Sequence, residues 1–243
     1  MAVRPLVHTN RVKKSARAMR NRRVRIRDWV LLVLGAWLLT VLIYRIVAPP
    51  FTPLMAIRKA QSIFSVSDYR GYREWRWIKI KALPTHITQA VVTAEDARFM
   101  GHFGVDFGAV VDVIDDAGES RSIRGASTIT MQTVKNLFLW PGGGYIRKPI
   151  EWILSPVAGA LWGKRRTLEL YINIVEWGDG IYGIEAAARH YFHKPARDLS
   201  AHEAAALAAI LPNPRKFSPI RMNHSTRLRY QRIIREMQAT RVP

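Results

Sequence analysis

The chain turns abruptly apolar at residue 29. Trp29 to Tyr44, WVLLVLGAWLLTVLIY, carries no charge, and past Arg45 the apolar run resumes to Ala48. A helix over 29–48 is about 30 Å long, enough to cross a bilayer core. Arg45 can snorkel to headgroups, and Trp29 and Tyr44 suit the two interfaces. A cleaved signal peptide is shorter and ends on small residues, whereas this run ends on Pro49-Pro50. The pattern therefore predicts an uncleaved anchor.

Past the anchor the period changes. Residues 49–69 read as a linker leaving through PPFTPLM. In Tyr69 to Lys81, YRGYREWRWIKIK, large apolar and charged residues alternate with an impure period of two. This predicts a short strand, an extended segment, or a linker that packs its tryptophans. Helical spacing then takes over. Ile87, Ala90, Val91 and Ala94 make one apolar face, opened by Pro84. Further helices are predicted over Phe107 to Ile114, from about Ile129, over Ile146 to Trp162, over Lys164 to Trp177, and over Glu185 to Tyr191. The polar stretch 115–124, DDAGESRSIR, reads as a loop. Ser200 and Glu203 form a capping box before AAALAAIL, whose small side chains imply close packing. Pro212, Pro214 and Pro219 end that helix, and a basic one follows over Thr226 to Thr240. The fold class is mainly α.

Composition adds two constraints. The chain has 243 residues, room for one good-sized domain and an appendage, and no cysteine, so disulfides and thiolate metal sites are excluded. The net charge is +20, and ten of the 38 Lys and Arg lie in residues 1–28. A basic tail abutting a membrane span is explained by topology and anionic lipid, not by nucleic acid. It places the tail in the cytoplasm and everything past Pro50 on the outer side. One charged motif is a false friend. Gly159 to Arg165, GALWGKR, has too few residues between its glycines for a P-loop, and Arg where Ser or Thr should hold magnesium.

Candidate chemistry gathers in Glu95 to Asp106, EDARFMGHFGVD. On a helical wheel Glu95 borders the apolar stripe and Asp96 points away from it. A carboxyl half-sunk among apolar groups has a raised pKa, which poises a general base; capping or salt-bridging a helix end fits it equally well. His102 and Asp106 stand in glycine-broken chain, where functional groups concentrate. Ser127 and Thr128 open the helix that carries Gln132, Lys135 and Asn136. They form either an N-cap or an anion site. Arg147, Lys148 and Glu151 stand together at the next helix start, as a diphosphate cradle or as a surface ion pair. The roles of Lys164 and Arg165 stay open between headgroup binding and solubility.

Taken in order, EDARFMGHFGVD, GASTITMQTVKN, RKPIEW, KRRTLELYINIVEWG, and GIYGIEAAARHYFHK with LSAHEAAALAAILPNP resemble the motifs of the peptidoglycan glycosyltransferases. The likeness covers roughly residues 70–220 and is closest to the monofunctional type. It departs at Ala126, Met131 and Ile172, where the family usually has Gly, Gln and Leu. The resemblance implies a lysozyme-like, bilobal helical domain with a small membrane-associated jaw. It divides the chain into a tail (1–28), a span (29–48), a linker (49–69), a catalytic domain (70–220) and a basic C-terminal helix (221–243). It implies polymerisation of lipid II with undecaprenyl-diphosphate glycan as donor, in a single-pass protein of the inner membrane that works beside other cell-wall synthesis proteins. Glu95 and Glu151 would be catalytic. Asp96, Phe99, His102, Ser127, Thr128, Gln132, Lys135, Asn136, Arg147 and Lys148 would bind diphosphate and sugar. Glu151 would order the cations or a divalent ion, Mg2+ or Mn2+; no other cofactor is implied. Two rivals are a lytic hydrolase, which has no need of the cationic cradle, and a non-enzymatic basic membrane protein, for which both glutamates are dispensable.

Overall fold

The computed structural model of the chain describes residues 8–64, 74–109 and 127–243. They divide into two compact units, residues 1–46 and 47–243. The first contains helix α1 (His8–Tyr44). Its Arg25–Tyr44 portion is the one helix among the described residues long and apolar enough to cross a membrane.

The second unit is mostly helical among its described residues. Helix α2 (Pro53–Phe64) forms inside the stretch read as a linker. Its apolar positions, Leu54, Ile57, Ala60 and Phe64 among them, recur at helical spacing, but Pro49, Pro50 and Pro53 make the stretch read as a linker. A short strand β1 (Glu74–Trp75) follows, then α3 (Thr85–Glu95), α4 (Ile129–Phe138) and α5 (Gly144–Ile174). Strands β2 (Glu176–Gly178) and β3 (Ile181–Tyr182) lead to α6 (Ile184–Phe192), α7 (Ala201–Ile210) and α8 (His224–Glu236). The helix over Phe107 to Ile114 and the loop over 115–124 lie largely outside the described residues, as does Ala126.

Three devices shape this unit. The alanines of α7 are buried, and their small size lets α3 and α8 both pack against it. Ser200 caps α7 with Glu203 in a reciprocal box, as its sequence predicts. Gly163 breaks α5 at φ 69° and ψ 167°, a conformation that only glycine adopts cheaply. The two helices predicted over 146–162 and 164–177 are the two arms of this kink. Around the second arm the sheet closes in the order β1-β3-β2, with β1 parallel and β2 antiparallel to β3. Trp75 donates its indole N–H to the Asn173 carbonyl at 2.8 Å, so the tryptophan-rich segment lies on the domain. Asn173 locks the same segment by exchanging hydrogen bonds with Ile78 N and O, both at 2.8 Å. The core runs from Ile80 through α3, the second arm of α5, α6 and α7 to Met237.

Candidate active site

The last turn of α3 presents Glu95, and the chain leaves helical geometry one residue later. Asp96 has φ −162° and ψ 71°, so the helical wheel no longer applies to it. Contrary to the expectation that it points away, its side chain turns inward and is 3% exposed. One carboxylate oxygen accepts the Ile129 N–H at 3.0 Å and the other faces His102 Nε2 at 2.9 Å. The free N–H groups at the start of α4 are thus met by the protein's own anion. Thr128 completes that end. Its hydroxyl accepts the Met131 N–H at 3.1 Å and donates to the Gly104 carbonyl. The hydroxyl-rich start of α4 is therefore a cap, and the local anion-site reading fails because Asp96 and Thr128 occupy it.

The loop between α3 and the described remainder is held equally firmly. Phe99, expected at the substrate surface, is fully buried and offers a ligand no area. His102 has its Nε2 committed to Asp96. Lys164, at the kink of α5, turns inward and donates to the Phe99 and His102 carbonyls, with its ammonium 4.4 Å from the Phe99 ring centre. This removes it from any headgroup role. Gly104 has φ 95°, and a Cβ there would stand 2.5 Å from the Ser155 carbonyl oxygen, so the loop lies directly on α5.

Glu95 itself is left pointing at chemistry. Its Oε2 accepts a 2.7 Å hydrogen bond from the Gln132 amide, whose own carbonyl accepts one from the buried Tyr171 hydroxyl at 3.2 Å. The tyrosine thereby fixes which end of the amide meets the carboxylate. Burial raises the pKa of Glu95; the Gln132 bond and the charges of Arg229 and Lys135 pull it back, while Asp96 adds to the rise. A cavity of about 300 Å³ opens over Glu95, lined also by Arg98, Ser127 and Arg232. A second, of about 260 Å³, lies on the far side of Gln132 and is lined by Lys135, Asn136 and Arg147. Glu95 lines the first cavity and Gln132 the second, and the hydrogen bond between them links the two linings.

The cations are braced from behind. Glu151 is buried and pairs with Arg147 and, at 3.5 Å, with Lys148. Lys148 also donates to the Ser127 hydroxyl. Burial lowers the Lys148 pKa to about 8, helped by the charges of Lys135 and Arg147. Lys135 is likewise lowered by burial and by Arg147. Among the described residues no cluster of three or more His, Asp or Glu side chains is placed to hold a metal ion. With both oxygens of Glu151 facing cations, these residues do not fit a divalent ion at that position.

Sequence reasoning missed Tyr171 and Arg229, and for Lys164 it weighed only headgroup binding and solubility. Tyr171 sits at an apolar helical position, and its hydroxyl was the available signal, since a buried phenol finds a partner. Lys164 follows the glycine at the kink. Arg229 lies on the last helix, and nothing in its local pattern points to Glu95.

Comparison with known proteins identifies the family. Residues 62–238 match the family described as Transglycosylase. A biosynthetic peptidoglycan transglycosylase of Rhodospirillum centenum is 48% identical over 198 residues, 82% of this chain and 83% of the relative. A protein of the same name from Cronobacter sakazakii is 41% identical over 219 residues, 90% of each chain. One from Brucella suis is 49% identical over 161 residues, 65% of this chain and 71% of the relative.

Proposed function

The chain belongs to the peptidoglycan transglycosylase family, and we propose that Glu95 is the general base with which it polymerises glycan chains from lipid II. The incoming lipid II supplies its sugar 4-hydroxyl as nucleophile. Glu95 removes the hydroxyl proton as the oxygen attacks the anomeric carbon of the growing glycan. The carbon inverts, a β-1,4 bond forms, and the bond to the diphosphate breaks with both electrons. Undecaprenyl diphosphate leaves into the field of Lys135, Arg147 and Lys148. Preorganised positive charge aimed at the departing group supplies a large share of such catalysis. Glu151 holds two of these cations in place, and Ser127 gives Lys148 a second contact. Diphosphate is a good leaving group, so the site needs one base and no acid to protonate a sugar oxygen, unlike a glycosidase. Helix α1 anchors the enzyme as a single span of the inner membrane, with the basic tail in the cytoplasm and the catalytic unit outside.

The observation that carries this reading is the position of Glu95, which lines a cavity with Ser127 and is hydrogen-bonded at 2.7 Å to Gln132, itself in the lining of the cavity that holds Lys135 and Arg147. The test is Glu95→Gln, assayed for glycan polymer from lipid II. Loss of the base should slow turnover on the order of 10²–10⁴. A folded variant that turns over like wild type removes Glu95 from the mechanism.

A further inference from the structure

Helix α2 packs against α4, the helix that carries Gln132 and Lys135. Its Leu54 and Arg58 line the same cavity of about 260 Å³ as Lys135 and Arg147. The cavity is mixed in chemistry. Arg58, Lys135 and Arg147 bring three cations against one carboxylate, Glu176, while Leu54, Leu139 and Trp140 bring hydrocarbon. A ligand that satisfies both is a compact anion joined directly to an apolar chain.

Arg58 is poised for such a ligand. Its Nε is buried and has no hydrogen-bond partner among the described residues. The carboxylate nearest to it, Glu176 Oε2, stands 4.0 Å away, a distance that orients the guanidinium without consuming its donors. Glu176 is itself fixed, because its other oxygen accepts the Gly180 N–H at 3.2 Å. Arg58 Nη1 donates to Gln61 at 3.2 Å on its own helix. A guanidinium held this way keeps a face of donors for phosphate oxygens.

We propose that α2, the helix next to the membrane anchor in the chain, is a wall of the polyprenyl diphosphate site. Arg58 binds the diphosphate, and Leu54 with Leu139 and Trp140 receives the first isoprenoid unit. This rests on the diphosphate reading of Lys135 and Arg147 given above. It makes the lipid carrier recognised at its head and at the start of its tail together, so a diphosphate without hydrocarbon binds less well.

The test titrates the full-length protein in detergent with farnesyl diphosphate and with inorganic pyrophosphate. Arg58→Met should weaken both ligands by roughly tenfold or more, the scale of a lost charge-assisted hydrogen bond. Leu54→Ala should weaken farnesyl diphosphate by about threefold or more and leave pyrophosphate unchanged. Lys135→Met is the control for the underlying reading and should weaken both. If Lys135→Met loses affinity while Arg58→Met and Leu54→Ala bind both ligands like wild type, the role of α2 is overturned and the cradle stands. If Lys135→Met binds like wild type, the diphosphate reading itself falls. Unliganded melting temperatures confirm the fold, and Arg58→Gln carries the same expectations should Arg58→Met not fold. Phosphatidylglycerol vesicles separate the other source of phosphate. Equal vesicle binding by wild type and Arg58→Met supports the proposal. Weaker vesicle binding with unchanged farnesyl diphosphate affinity would assign Arg58 to headgroups and overturn it.

Discussion

Single residues decide when the site is in its working charge state. As the proposed base, Glu95 would have to be ionised to take a proton, and burial, the largest influence on it, raises its pKa above the ordinary value of 4.5. Activity should therefore climb with pH through that raised value. In the proposed mechanism Lys148 would have to be charged to face the leaving diphosphate, and burial brings its pKa down to about 8. Activity should fall as pH rises through that point, because the ammonium deprotonates. The expected profile of kcat/KM is a bell. Lys148→Arg tests the alkaline limb, since a guanidinium stays charged throughout. The limb should move upward while the acid limb stays in place, whatever happens to the maximum rate. An alkaline limb that stays near pH 8 in the variant would assign that titration to another group. At this scale the sequence was legible in which charged residues come together, since Glu95, Lys135, Arg147, Lys148 and Glu151 do lie near one another. It was opaque where conformation redirects a side chain. Asp96 leaves the helix and caps α4, Phe99 goes into the core, and Lys164 folds back onto two carbonyls. No period of three or four residues encodes those turns.

At the scale of elements, periodicity and punctuation were informative. The apolar faces of α3 and α4, the capping box of α7 and the break between the two arms of α5 were all readable, because each depends on neighbours within a few positions. The pairing of β1 with β3 was not, because it depends on partners far along the chain, and α2 was masked by the prolines around it. Trp75 reaches Asn173, and Arg58 reaches Glu176. The kink at Gly163 joins the two kinds of information. It lets the first arm of α5 carry Arg147 and Glu151 while the second carries Tyr171 toward Gln132. Gly163→Ala would force a Cβ-bearing residue into φ 69° and ψ 167°. No neighbouring atom lies within 4 Å of the added carbon, so the cost is backbone strain alone. Urea denaturation should show a loss of about 1–3 kcal/mol. A variant as stable as wild type would mean that the kink is relieved at no cost by straightening. Turnover separates the outcomes further, since a straightened α5 shifts Tyr171 against Glu151 and slows the reaction.

At the scale of the whole molecule, the two units divide the work. Every side chain assigned above to catalysis or to the cavities lies between Leu54 and Arg232, and the hydrophobic core runs from Ile80 to Met237 with Val242 packed on it. Residues 47–243 form their own compact unit. A chain starting at Pro50 keeps α2, the core and the site, and loses only the apolar helix and the ten basic residues before it. It should fold cooperatively and polymerise detergent-dispersed lipid II at a rate near that of the full chain. On lipid II in anionic vesicles the full chain should be faster, because a span and a basic tail confine the enzyme to the surface that holds its substrate. Raising the salt should weaken the electrostatic part of that advantage and leave the part due to the span. The two assays assign the anchor a role by their difference. Equal rates in detergent with unequal rates on vesicles make it a device for concentration. A truncated chain that melts normally yet is inactive in detergent would make the anchor part of the catalytic apparatus, and the division of labour drawn here would be wrong.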